Sequence, residues 1–580
     1  MAGDRHLQEP WPLRGLTCLR QPLVLTALLL GGTFAALPST YESNDDPGIV
    51  AILSGADGFP ASPDVTFLSP CFSWGLWLLY TLVPVIPWYG LCWLVTIAFA
   101  TLLTFSVIVD RRVEPVARLV YAAVAVPLSI FWISRASFTS AAMATVCAAL
   151  VFVFRDATQR SATNRTFAVL ALAMLLAYPW RPGLVIAVVP LVVPCLLYLP
   201  RSRSGILLVA FAPLTALVAL DAGLHAFWRD PEATTFAEFN AVRSAFHDTK
   251  AGDLAVGSEQ ALAAAGWSAE DYAAFRTIWQ IHDREVFNTD TVRAFLTANE
   301  PLQAHERTPL LAASRLDLAR RAIQPMLPIV LPPLMLLILA AWLAGGRPRA
   351  DRWRALAVVG FTVLAFAGLA AYRFVPRVGF PLSAWAVGTM AMLLPPVPRP
   401  IRPGLAVAAV TTVLVSIGGA VVMFGVTRAN DLLSRRHRDA FVAGINRHVA
   451  ETGPRPIVIV NPKLGLFSHA DGPFGSRRLV DGCRLVPCGW QTHSPRYDAA
   501  LASLGIASGR DLMLSPDVLF AVTGSEQMID AALRTWFGHL NRRRPEAATV
   551  RMIIEAPKSA EPFRGLLLFR VTTSPPGASP

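Results

Sequence analysis

Apolar residues in this chain come in runs close to twenty long, separated by short polar segments. A helix needs about 20 such residues to cross roughly 30 Å of hydrocarbon, whereas a soluble helix of that length keeps one polar face. With 54% hydrophobic and 16% charged residues over 580 positions, most of the core is expected to be membrane.

The first run, Gln21 to Leu37, follows Arg14 and Arg20 and reads as an uncleaved anchor, with a cleaved signal peptide as the alternative. Further spans are expected near 88–109, 117–134, 137–154, 166–178, 183–199, 205–226, 326–344, 354–372, 378–395 and 404–426. Together they make about eleven transmembrane helices, with the amino terminus cytoplasmic and the carboxyl terminus outside. The run from Phe72 to Ile86 is short, rich in Trp and ended by Pro84 and Pro87, so it is read as interfacial.

Arginine distribution supports that choice. The expected inner loops carry Arg111, Arg112, Arg118, Arg155, Arg160, Arg165, Arg201, Arg203, Arg347, Arg349, Arg352, Arg354, Arg399 and Arg402, while the short outer turns carry only Arg135, Arg181, Arg373 and Arg377. The same clustering explains the net charge of +12 without a nucleic-acid partner, because no basic soluble face accompanies it.

The expected plan is an α-helical polytopic membrane domain at 1–430, with a first outer loop at 38–87 and a helical outer-loop subdomain at 228–325. An extracytoplasmic α+β domain at 431–572 and a disordered end at 573–580 follow. No Walker, GxGxxG, GxSxG or HExxH pattern is present, which removes support for nucleotide, serine-hydrolase and zinc-hydrolase chemistry. Cys483 and Cys488 stand close together without a paired CxxC, and a disulfide suits them better than a metal. In the tail, His469, Asp471, His493 and Asp498 lack zinc-ligand spacing.

Asn44, Asp45 and Asp46 precede Pro47 and Gly48 just beyond the first helix. Adjacent carboxylates near a low-dielectric boundary repel, so one could act as a base, or the pair could hold a divalent cation. As a local string, Asn-Asp-Asp-Pro-Gly also reads as plain turn and cap residues. Arg135, Arg181, Arg373 and Arg377 run against the positive-inside bias, so each needs a reason. Phosphate binding is one; snorkelling or pairing with a carboxylate such as Asp221 is the other. In the 228–325 loop, Arg243, Asp248, Trp267, Asp271, Tyr272, Trp279 and Asp283 mix aromatics with charge as a sugar or acceptor site would. Their helical spacing equally suits the core of a small domain.

The order of these features resembles the polytopic glycosyltransferases of the C superfamily (GT-C type): first helix to Leu37, the Asp45-Asp46 pair, the interfacial segment Phe72 to Ile86, then a span from Trp88. Trp88-Tyr89-Gly90, Ser137-Phe138-Thr139 and Gly266-Trp267 before Asp271-Tyr272 are similar to an uncharacterised bacterial group within it. Many members open the interfacial helix with Pro-Pro, whereas this chain has Ser69-Pro70-Cys71-Phe72. The resemblance implies a bacterial inner-membrane enzyme that moves a sugar from a polyprenyl-phosphate donor to a glycan, lipid or protein acceptor outside. It further implies Asp45 or Asp46 as the base. A polyprenyl-diphosphate glycan polymerase or ligase, or a non-catalytic transporter or scaffold, are the other classes.

Overall fold

The computed structural model describes residues 11–37, 39–42, 45–228, 231–248, 250–254, 258–277, 283–306, 349–372, 376–393, 456–460, 472–474, 484–486, 489–524, 526–543, 551–554 and 565–572, with scattered single positions between 418 and 453. The expected spans at 326–344 and 404–426, and the Cys483–Cys488 disulfide, lie outside them.

The chain is mostly helical. Helix α1 (Trp11–Ala36) leads to a two-residue strand, β1 (Thr40–Tyr41), then α2 (Asp45–Ser54) and α3 (Pro70–Leu82). Next come α4 (Trp88–Ile108), α5 (Pro115–Ser134), β2 (Arg135–Ala136), α6 (Phe138–Thr158) and α7 (Asn164–Ala177). Four described helices are long and apolar enough to cross a membrane: α4, α5, α6 and the stretch Ser202–Phe227. The last of these covers most of α10 (Arg201–Val209) and α11 (Ala212–Trp228).

Other expected spans are shorter. Helix α7 has 14 residues, and the 183–199 run forms α8 (Pro182–Val188), a 3₁₀ turn and α9 (Val193–Tyr198). Pro190 and Pro194 cannot donate to the i−4 ladder, which accounts for the break. Helix α3 has 13 residues, about 20 Å of rise, well short of a bilayer core. Ser69 caps it, and Asp221 of α11 accepts from both Ser69 Oγ and the Cys71 amide at 3.1 Å.

Helix α6 is the centre of the bundle: 94% of its apolar window is buried, against 22% for Ser202–Phe227. Alanines at 141, 142, 144, 148 and 149 let neighbours come close. Around α6 pack α4, α7, α8, α9 and α17 (Pro376–Ala391); α5 lies against α4 and α17, and α16 (Arg349–Tyr372) against α9 and α17. At the far end of α6, buried Arg155 pairs with Asp156 at 2.8 Å and Asp110 at 3.4 Å, tying α4 to α6.

Residues 231–306 form α12 (Pro231–Asp248), α13 (Glu259–Ala265), α14 (Ala269–Thr277) and α15 (Thr289–Glu306) around an aromatic core of Phe246, Trp267, Phe275, Phe287 and Phe295. The tail carries a five-stranded sheet in the order β4-β3-β5-β7-β6. Its strands are β3 (Pro456–Val460), β4 (Arg484–Leu485), β5 (Leu519–Gly524), β6 (Arg551–Ile554) and β7 (Gly565–Thr572). Strand β3 is parallel to both β4 and β5, and β7 is antiparallel to β5 and β6. Helices α18 (Pro495–Ser503), α19 (Gly509–Leu514) and α20 (Glu526–Arg543) accompany the sheet.

The tail is bolted to the segment after α2. Arg496 Nη2 reaches both carboxylate oxygens of Asp57 at 2.7 Å, with each side chain under a tenth exposed. A second contact inserts Gly472-Pro473-Phe474. Phe474 lies edge-on to Phe34 of α1 and beside Trp93 of α4. A Cβ on Gly90 would sit 2.2 Å from the Pro473 carbonyl oxygen, so only glycine admits this approach.

Candidate active site at one end of the helix bundle

Strand β1 pairs in parallel with β2, Thr40 opposite Arg135 and Tyr41 opposite Ala136. This short ladder fastens the end of α1 to the α5–α6 turn, and the Glu42 amide extends it by donating to the Ala136 carbonyl at 2.8 Å. The acidic residues that follow arrive at the amino terminus of α6, where unpaired amides and the helix dipole favour negative charge.

Asp45 and Asp46 open α2 rather than lying in a loop. Pro47 is tolerated because its missing amide would have had no intrahelical partner in the first turn. One turn of helix gives the pair different surroundings. Asp46 is fully buried, and its Oδ1 accepts from the Phe138 amide at 2.9 Å and from Tyr89 Oη at 2.5 Å. Tyr80 Oη in turn accepts from the Tyr89 amide at 3.0 Å. Asp45 remains partly exposed, with Oδ2 3.8 Å from Arg377 Nη1.

Glu42, which the sequence reading passed over, joins this group. Its Oε2 accepts from Ser140 Oγ at 2.8 Å. Burial pushes its carboxyl above the usual range, against the Ser140 hydrogen bond and the charges of Arg377 and Arg135. The Tyr41 hydroxyl is raised well above its ordinary value, first by burial and then by Tyr80 and Asp46. It therefore stays protonated.

Of the four exceptional arginines, Arg135 and Arg377 act on Glu42. The Arg181 guanidinium lies 4.9 Å from the Phe67 ring and 5.2 Å from the ring of Phe138, the residue whose amide holds Asp46. Arg373 lies outside the described residues. Trp490 of the tail packs on Phe67 at 4.8 Å, and a Cβ on Gly48 would lie 3.7 Å from its indole. Membrane helices and tail thus meet around one charged cluster, in which Asp45 and Arg377 are each about a fifth exposed. Among the described residues, no three His, Cys, Asp or Glu side chains converge as a metal-binding group.

The 231–306 residues fall elsewhere. Trp267 is in the aromatic core, its indole donating to the Val286 carbonyl at 2.9 Å. Asp271 caps α14 through the Ser268 amide and pairs with His539 and Arg543 of the tail. Asp283 pairs with Arg510 at 3.0 Å. Arg243 bonds Asn240, and Tyr272 donates to the Gly252 carbonyl. The Asp248 side chain, Trp279, His469 and Asp471 lie outside what is described. His493 stacks near Phe239 at 4.7 Å, and Asp498 pairs with Arg284 at 2.9 Å. These two tail residues and Arg284 line a half-open cleft of about 210 Å³ between α12 and α18.

No family model matches this chain, and no curated protein is similar to it at a significant level. Among solved structures, it is similar to ArnT from Cupriavidus metallidurans bound to undecaprenyl phosphate. The identity is 14% over 95% of this chain and 97% of that one, with a TM-score of 0.33. The same protein in its apo state aligns at 14% identity over 96% and 98% of the two chains, with a TM-score of 0.32. At such TM-scores the backbones diverge too far for the likeness to carry fold or activity across.

Proposed function

We propose that this chain is a membrane glycosyltransferase that moves a sugar from a polyprenyl-phosphate carrier to an acceptor hydroxyl on the extracytoplasmic face. The observation that carries this reading is a partly exposed Asp45 standing 3.8 Å from Arg377, with Glu42 under the charges of both Arg377 and Arg135; we read this cluster as the wall of a recess. The chemistry asks for a base for the acceptor and a cation for the departing phosphate, and this recess offers both next to a short helix, α3, of interfacial length.

In this reading Asp45 takes the proton of the acceptor hydroxyl. The oxygen forms a bond to the anomeric carbon, the bond from that carbon to the phosphate oxygen breaks, and the lipid phosphate leaves with the electron pair. Arg377 and Arg135 stabilise its charge, since a guanidinium fork suits phosphate oxygens; Arg181 extends the same basic rim. Asp46 is a positioning residue: buried and bonded to Tyr89 and the α6 amide, it fixes the turn of helix that presents Asp45. Residues 1–430 form the membrane domain in this scheme, and the tail 431–572 covers the recess from outside. Because Asp271 and Trp267 are occupied in packing, the acceptor is assigned to the recess and not to the helical loop.

Asp45→Asn in purified protein should abolish transfer from a polyprenyl-phosphate sugar while leaving folding and membrane insertion intact. Full turnover by Asp45→Asn removes the base and with it this reading.

A further inference from the structure

The helical loop and the tail meet at a buried histidine. His539 on α20 is fully buried, Nδ1 lying 2.7 Å from Asp271 Oδ1 and Nε2 3.7 Å from Asp283 Oδ2. The Phe287 ring stands 5.3 Å away, and α14 packs along α20. We propose that the Asp271–His539–Asp283 bridge is a proton-operated latch that clamps the helical loop to the tail while the ring is protonated and loosens when the proton leaves.

The geometry selects the charged ring. A neutral imidazole donates from one nitrogen and carries a lone pair on the other; an imidazolium donates from both. With a carboxylate facing each nitrogen, the neutral form must turn a lone pair toward one of two anions. The surrounding charges leave the ring its role. From the loop side, Asp271, Asp283, Glu270 and Glu285 face this junction; from the tail, Arg543 pairs with Asp271, Arg510 with Asp283 and Glu285, and Arg542 with Glu270. The four acids meet three arginines, so a protonated His539 brings the junction to balance.

Burial opposes the charged ring, but the Asp271 hydrogen bond and the negative charges of Asp271 and Asp283 outweigh it and raise the His539 pKa above 6.5. A raised histidine contributes stability that is fully present below its unfolded value and is lost as pH climbs through the folded one. Asp271 and Asp283 are held below the carboxylate range, against burial, by His539 and the arginines, so their contribution fails only in strong acid. The window is therefore from near neutrality upward. Among the described residues, the further loop–tail ion pair, Arg284 to Asp498, is roughly half exposed and screened, and adds little.

Hydrogen exchange on the full-length protein in lipid nanodiscs tests this, following peptides over 269–277 and 526–543 with correction for intrinsic rates. Between about pH 6 and about pH 8.5 their protection should fall at least about threefold, while α4 and α6 hold theirs. His539→Gln should flatten that dependence. Unchanged wild-type protection across the range overturns the latch, and so does an equal loss in His539→Gln. If that variant fails to assemble, the wild-type profile alone decides.

Discussion

Replacing Arg496 with methionine keeps the bulk of the side chain but leaves Asp57 buried without its guanidinium. Both partners are under a tenth exposed, and both carboxylate oxygens lie 2.7 Å from Nη2. Removing one side of such a pair costs about 3–5 kcal/mol, because the survivor keeps its desolvation penalty. That shifts the docking equilibrium of the tail by roughly two to four powers of ten. Burial already raises the Asp57 carboxyl despite Arg496. A carboxyl raised on folding contributes stability present below its unfolded value and lost as pH rises. The variant's deficit should accordingly shrink as the pH falls from neutrality into acid, because Asp57 takes a proton and its uncompensated charge disappears. Limited proteolysis of the tail across that pH range reads both effects. Equal protection of wild type and Arg496→Met at neutral pH would refute the pairing as the bolt.

Three further outcomes follow from the packing. Tyr89→Phe withdraws the 2.5 Å donor from buried Asp46 and should lower stability by about 1.5–3 kcal/mol, read as a shift in thermal unfolding in detergent. Gly90→Val places side-chain atoms where the Pro473 carbonyl sits, so Phe474 should be released and the 472–474 segment become protease-sensitive; an unchanged digest contradicts it. Trp267→Ala empties the aromatic core of the helical loop and should cost about 3–5 kcal/mol there, with exchange protection lost in α12–α15 and kept in α4–α6.

The helices from Trp88 to Thr158 were legible because length and uninterrupted apolarity fix a span without any knowledge of neighbours. The site was half legible. Asp45 and Asp46 stood out as a pair, but their division of labour depends on partners 43 and 92 residues away in sequence, Tyr89 and Phe138. Glu42 had no local signal, since Ser140 lies 98 residues on. Helix α2 was hidden because a first helical turn favours the same acidic residues and proline as a loop turn does.

The helical loop shows the opposite difficulty. Its aromatics and carboxylates at helical spacing suit a sugar site or a domain core equally, and only the fold reveals that Asp271 meets a histidine 268 residues later. Arg496 and Asp57, 439 residues apart, likewise carry no joint signature. Periodicity reports which face is buried; it does not say against what.

In the proposed mechanism one recess holds both the base and the phosphate clamp. Determining the structure with a polyprenyl phosphate bound tests it most directly. The phosphate is predicted between Arg135 and Arg377, within reach of Asp45. A phosphate seated at the opposite end of the bundle, near Arg112 and Arg155, with none beside Asp45, would contradict it.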